Sequence, residues 1–83
     1  MNIKGILREF MIREFNESGF HESIGDDESL IESGILDSLS ILKLISFMDE
    51  RFDIMPPEDE LKPEKLETLN LIALFIAQKL ESK

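Results

Sequence analysis

The sequence contains no cysteine, no tryptophan and no tyrosine, and its only histidine is His21. Without a thiol, the chain forms no disulfide and offers neither a thiolate metal ligand nor a cysteine nucleophile. A hydroxyl nucleophile would need an adjacent base, and His21 lies in a polar stretch that we interpret as a solvated loop. We therefore predict no catalytic residues and no hydrolase activity.

Long apolar runs are also missing. No run approaches the ~20 residues of a membrane span, and the N-terminal stretch MNIKGILREF is too charged for a signal peptide. We expect a cytoplasmic protein without a membrane span. Hydrophobic residues make up 42% of the 83 residues, which is enough for one modest core. Residues 1–83 are therefore predicted to form a single domain.

Basic residues are few, and acidic residues dominate the middle of the chain. The net charge is −9, and residues 14–61 hold fourteen acids against Lys43 and Arg51, a net of −12. Such a surface repels phosphates, so no nucleic acid is expected as a partner. The charge favours solubility or steered encounters with basic partners. The acidic run Asp26–Glu28 lacks the spacing of an EF-hand loop; we interpret it as solvated charge and predict no metal site.

Apolar periodicity predicts three helices and no strands. Their approximate ranges are 2–16, 38–52 and 68–80. The long connection between the first two contains Leu30, Ile31, Ile35 and Leu36, which are expected to pack it. All three prolines lie between the second and third helices, where Glu58–Leu61 is expected to form one short helical turn. The prediction is an all-α fold: a small four-helix bundle of three longer helices and one short, with a long loop between helices 1 and 2.

The second helix has one apolar residue on its polar side. On a helical wheel, a core stripe is predicted from Ile41, Ile45, Met48 and Phe52, with Leu44 beside it and Leu42 and Phe47 at its borders. Leu39 lies nearly opposite this stripe, among Lys43, Ser46 and Glu50. It is therefore either an ordinary exposed leucine or an anchor for a partner.

Asp37 and Ser38 stand where this helix begins. Either side chain can accept a hydrogen bond from a first-turn N–H, an interaction worth ~1 kcal/mol. The same helix end also favours a phosphate group attached to Ser38. Capping and phosphate attachment are both compatible with the pattern.

A longer match surrounds these residues. The stretch ESGILDSLSILKLISFMDERFDI, with Asp37-Ser38-Leu39 at the start of its helix, resembles the acyl carrier protein family of phosphopantetheine-binding carriers. The stretch PPEDELKPEKLETLNLIALF is similar to the tail of discrete carriers in polyketide, nonribosomal-peptide-like or aminoacyl-transfer systems. The resemblance covers about Leu30 to Ile76.

The resemblance implies a carrier and not an enzyme. Ser38 would receive 4′-phosphopantetheine from coenzyme A through a phosphodiester made by a phosphopantetheinyl transferase. The thiol of the arm would then hold an acyl or aminoacyl group as a thioester. Asp37 would help to present the serine, and Leu39 would contact partners. The core stripe, with Leu66 and Ile72 opposite, could open to shelter an acyl chain.

The resemblance also implies a partner surface and a set of partners. The surface is the exposed side of the second helix, with Leu39, Leu42, Lys43, Ser46 and Glu50. The partners are the transferase, an adenylating acyl or aminoacyl ligase, and a downstream synthase or transferase, with the carrier itself a monomer. Fatty-acid synthesis carriers usually have acids where Ser40 and Lys43 stand here, so a specialised carrier is favoured.

Two alternatives stay open at this point. One is a D-alanyl or other aminoacyl carrier, within the same family. The other is a non-carrier acidic helical interaction domain in which Asp37-Ser38 only caps a helix, so that Ser38→Ala would cost ~1 kcal/mol of stability and leave function intact.

Overall fold

A computed structural model describes residues 2–82 of the chain. It contains three α-helices, which are α1 (Ile3–Phe15), α2 (Ser38–Phe52) and α3 (Leu69–Glu81). Three short 3₁₀ helices accompany them, at Asn16–Ser18, Glu58–Glu60 and Pro63–Lys65. Residues 2–82 contain no strand, and the predicted all-α class is confirmed.

The segment predicted as a short fourth helix is a single 3₁₀ turn, Glu58–Glu60. Pro57 precedes it directly and Pro63 begins the next 3₁₀ helix. Because proline lacks a backbone N–H and clashes with the preceding turn, few residues are left between the two for a longer helix. The structure therefore shows three α-helices joined through short turns on this side.

The core is built from one face of each helix and from the connection between α1 and α2. The helices contribute Leu7, Phe10, Met11 and Phe15 (α1), Leu44, Met48 and Phe52 (α2), and Leu69, Ile72, Phe75 and Ile76 (α3). The connection, residues 19–37, contributes Phe20, Leu30, Ile35 and Leu36. Burial of these side chains, at about 25 cal/mol per Å² of apolar surface, holds the irregular connection against the helices.

The buried stripe of α2 differs from the predicted one. Leu44 is fully buried, whereas Ile41 and Ile45, placed at the centre by the wheel, are only partly buried. The reason is the position of α1, whose Phe10 ring stacks on Phe47 with ring centroids 4.0 Å apart. This contact turns the inward side of α2 towards Phe47, so Leu44 replaces Ile45 in the core.

The prediction that the acidic run Asp26–Glu28 is solvated charge was wrong for Asp26, whereas Asp27 and Glu28 are exposed. Asp26 is partly buried and forms ion pairs with Lys4, at 3.2 Å, and with Arg8. Hydrogen bonds from Arg8, and then from Lys4, lower the pKa of Asp26 below its usual 3.8. Asp27 accepts a hydrogen bond of 2.7 Å from the Asn70 side chain. The run thus joins the connection to the first two turns of α1 and to the first turn of α3.

α2 begins at Ser38 because Asp37 caps it. The Asp37 carboxylate accepts hydrogen bonds from the backbone N–H groups of Leu39, at 3.0 Å, and Ser40, at 2.9 Å. These bonds satisfy two of the donors that a helix start leaves unpaired. Interactions with Ser40, from its N–H first and then its hydroxyl, lower the pKa of Asp37 below 3.8, and the Leu39 N–H adds to the effect.

Within residues 2–82, none of the helices combines the length and the apolar character that crossing a membrane requires.

The rotated α2 stripe is tested by truncating Leu44 and Ile45 separately. We expect Leu44→Ala to lower the free energy of unfolding by about 2–5 kcal/mol, because the substitution leaves a cavity in the core. Ile45→Ala should lower it by about 1 kcal/mol, since a partly exposed side chain loses less contact. Urea unfolding followed by circular dichroism measures both, and equal losses would contradict the rotation.

The Asp37 cap is tested by Asp37→Asn at different pH values. Asparagine is an equally good capping acceptor but lacks the charge that the positive helix end stabilises. Because the pKa of Asp37 is lowered on folding, its charged form adds stability that is fully present above pH 3.8 and is lost as the pH falls through the folded-state pKa.

Thermal unfolding should therefore give wild type a higher melting temperature than Asp37→Asn at neutral pH. This gap in melting temperature should narrow below pH 3.8 and close in stronger acid. A gap that stays constant across this range would mean that the charge of Asp37 contributes nothing.

Candidate functional site

Ser38 is the first residue of α2, and its side chain is exposed. Within residues 2–82 no hydrogen bond is recorded for the Ser38 hydroxyl, in contrast to Asp37 beside it. The structure thus separates the two roles that the sequence left open: Asp37 caps the helix, and Ser38 does not. The Ser38 Oγ is a free, solvent-facing hydroxyl at the positive end of a helix.

A phosphate ester on Ser38 would not be bound by the helix start. Helix starts attract anions through their unpaired N–H groups, but here the Asp37 carboxylate already occupies the N–H groups of Leu39 and Ser40. A phosphate on Ser38 would therefore project into solvent and would not sit on the helix end.

The chain before Ser38 is firmly held. Ile35 and Leu36 are each 2% exposed, and the Leu36 N–H donates to the Leu30 carbonyl at 2.8 Å. Leu30, itself fully buried, donates its own N–H to the Glu67 carbonyl at 2.7 Å. These bonds tie the residues before the serine to the segment that leads into α3. The exposed hydroxyl therefore stands on a rigid base.

The five residues predicted as a partner surface all lie on the solvent side of α2. Leu39 is 75% exposed and Leu42 is 60% exposed. Lys43, Ser46 and Glu50 are exposed as well. The two exposed leucines lie three residues apart on α2, with these polar residues beside them. The geometry thus brings Ser38 and the predicted surface together on one helix.

A groove between α1 and α2 adds residues that sequence reasoning missed. It has a volume of about 310 Å³ and is lined by Phe10, Arg13, Glu14, Lys43, Ser46, Phe47 and Glu50. Three of these belong to the predicted surface, and the α1 residues were not predicted. The sequence feature that could have indicated the groove is Phe47, an aromatic residue at the border of the α2 stripe.

Two further features singled out from the sequence lie elsewhere. His21 is exposed, and its Nδ1 lies 2.6 Å from the Ser23 hydroxyl within the connection. Leu66 and Ile72, the predicted inner wall for an acyl chain, are fully buried. Both belong to the cluster of buried core side chains.

Sequence comparison identifies proteins that are similar to this chain. The chain is 38% identical over 61 residues to the D-alanyl carrier protein of Streptococcus sanguinis SK36, a match that covers 71% of this chain and 77% of that protein. The D-alanyl carrier proteins of Streptococcus gordonii and Streptococcus thermophilus are each 38% identical over 55 residues, covering 64% of this chain and 70% of each of them. No protein-family model matches the sequence.

A solved structure gives an independent match. The chain superimposes on it with a TM-score of 0.74 and 33% identity, covering 84% of this chain and 97% of the matched chain. That structure is described as the crystal structure of an FAD-dependent dehydrogenase. The family is shown by the match to the Streptococcus sanguinis protein, which covers more than two thirds of both chains. The chain belongs to the acyl carrier protein family, whose discrete aminoacyl carriers include the D-alanyl carrier proteins.

Proposed function

We propose that the protein carries acyl or aminoacyl groups as thioesters on a 4′-phosphopantetheine arm attached to Ser38. The observation that carries the proposal is the exposed, unengaged Ser38 hydroxyl beside its capped helix start. The arm supplies the thiol that a chain without cysteine lacks. This role requires neither a metal nor a catalytic base in the chain.

Attachment of the arm is a phosphoryl transfer to the serine. A bond forms between Ser38 Oγ and the phosphorus that bears the pantetheine, while the pyrophosphate bond of coenzyme A breaks and the nucleotide portion leaves. The serine proton would pass to a base of the transferase, because the lowered pKa of Asp37, caused first by the hydrogen bond from the Ser40 N–H, makes its carboxylate a weak base. Asp37 contributes by fixing the helix start and with it the position of Oγ.

For the carried group, we favour an aminoacyl group over a plain acyl group. The curated relatives at 38% identity are named for the D-alanyl group, and D-alanine is the first cargo to test. The exposed side of α2 carries Ser40 and Lys43 where carriers of fatty-acid synthesis usually have acids. Its electrostatic pattern therefore suits dedicated partners.

We propose three kinds of partner: a phosphopantetheinyl transferase, an adenylating ligase that loads the arm, and a downstream enzyme that uses the loaded group. The downstream enzyme is a synthase or transferase. Leu39 and Leu42 supply the apolar centre of the surface that these enzymes contact, and Lys43, Ser46 and Glu50 supply its polar border.

We also propose a domain extent, a compartment and an oligomeric state for the carrier. Residues 1–83 act as one carrier domain in the cytoplasm, and the protein works as a monomer. The 3₁₀ turn Glu58–Glu60 takes the place of the short fourth helix of a carrier bundle. Residues 19–37 form its long loop.

Modification of Ser38 is tested by intact mass spectrometry. We expect the folded protein to gain the mass of one phosphopantetheine when it is incubated with coenzyme A and a broad-specificity transferase. Ser38→Ala should gain nothing. Its unfolding midpoint should stay close to wild type because Asp37, and not Ser38, caps α2. The alternative of a non-carrier interaction domain predicts no mass gain on the wild-type protein.

The role of Leu39 is tested by Leu39→Asp. Because the side chain is 75% exposed, the substitution should change the free energy of unfolding by less than about 0.5 kcal/mol. It should lower the rate at which an adenylating ligase loads the holo-protein, since a charge replaces the apolar centre of the surface.

Loading followed by mass spectrometry and urea unfolding supply the two readouts, and Met55→Asp provides a matched control at an equally exposed residue outside α2. A normal loading rate for Leu39→Asp would remove Leu39 from the partner surface.

A further inference from the structure

The groove between α1 and α2 has an aromatic floor. The rings of Phe10 and Phe47 stack there, with centroids 4.0 Å apart and an interplanar angle of 15°. The groove is open to solvent along its rim, where the polar and charged residues stand. Such a site can hold a small group with one apolar and one polar part.

Most charges at the groove already have a neighbour. Arg13 pairs with Glu14 at 3.5 Å, and the Lys43 ammonium lies 6.0 Å from the centre of the Phe15 ring. Among residues 2–82, no ion pair or hydrogen bond is recorded for the side chain of Glu50. Among residues 2–82, neither Lys43 nor Glu50 has an ion-pair partner, so the groove lining holds one unpaired ammonium and one unpaired carboxylate, both beside the aromatic surface.

A smaller recess of about 150 Å³ continues the groove past Phe10 and Phe47. It adds one acid, Glu9, and one base, Arg51, so the net charge of the groove lining does not change. A carboxylate beside an aromatic ring is a suitable environment for an ammonium group.

The distance from Ser38 favours Glu50 over Lys43 as the residue that the tip of the arm reaches. At ~1.5 Å per residue along α2, Glu50 lies roughly 18 Å from Ser38 and Lys43 lies roughly 7.5 Å from it. An extended arm of about fourteen chain bonds spans roughly 16 Å from Oγ to sulfur, at ~3.5 Å per three bonds. An α-amino group on the thioester lies about three bonds further. The tip of the arm therefore passes Lys43 and reaches the level of Glu50.

We propose that the α1–α2 groove holds the amino group of an aminoacyl cargo, with the Glu50 carboxylate accepting a hydrogen bond from the ammonium and Phe47 packing against the cargo. This inference rests on the proposed attachment at Ser38. Because Lys43, Ser46 and Glu50 also belong to the proposed partner surface, a docking enzyme displaces the cargo from the groove. The groove thus favours amino-bearing cargo in the free carrier.

The test compares two forms of the ¹⁵N-labelled holo-protein by NMR. In one the arm ends in an alanyl group and in the other in a propionyl group, each joined by a stable amide in place of the thioester. The two groups differ only by the amino group. We expect the alanyl form to shift the amide signals of Phe10, Phe47 and Glu50 by about two- to fivefold more than the propionyl form. The difference is only a few-fold because an exposed ion pair contributes little free energy.

Glu50→Gln should reduce the alanyl shifts to the propionyl level. Asp49→Asn is the matched control, because it removes an exposed negative charge from the same turn without lining the groove, and it should leave the shifts unchanged. Equal shifts for the two cargoes, or shifts confined to residues next to Ser38, would overturn the inference and leave the carrier function intact. A failure of the transferase to add the arm would instead overturn the proposed attachment, and the inference with it.

Discussion

The two backbone hydrogen bonds of Leu30 are the constraint on which the site depends. Its N–H donates to Glu67, before α3, and its carbonyl accepts from Leu36, just before α2. Residues 19–37 have no regular helix to hold them in place, so these bonds and the buried side chains of Leu30, Ile35 and Leu36 position the start of α2. Buried backbone groups need such partners, because an unpaired one costs as much as a lost hydrogen bond. The result is a rigid base under an exposed serine.

Two acids of the connection between α1 and α2 have different roles. Near its middle, Asp26 is paired with Lys4 and Arg8, which holds the connection to α1. At its end, Asp37 is satisfied by backbone N–H groups and leaves Ser38 free. Most of the remaining acids are exposed, and these contribute little to stability and much to the field that a partner meets.

The parts of the structure that depend on neighbouring residues were predictable from the sequence. The start and end of α2 and the exposure of Leu39 follow from local capping and helical periodicity. The rotation of α2 that buries Leu44 was not predictable, because it depends on where Phe10 of α1 meets Phe47. The pairing of Asp26 with α1 and the α1–α2 groove are also long-range contacts, which periodicity along one helix does not encode.

The most direct test of the carrier account is to map the modification on protein purified from its own cells. Trypsin cleavage after Arg13 and Lys43 gives one peptide that contains Ser38 together with five other serines. The account predicts phosphopantetheine on this peptide, with fragmentation placing it on Ser38. An unmodified peptide from cells that contain a working transferase, or a group placed on another serine, would contradict it.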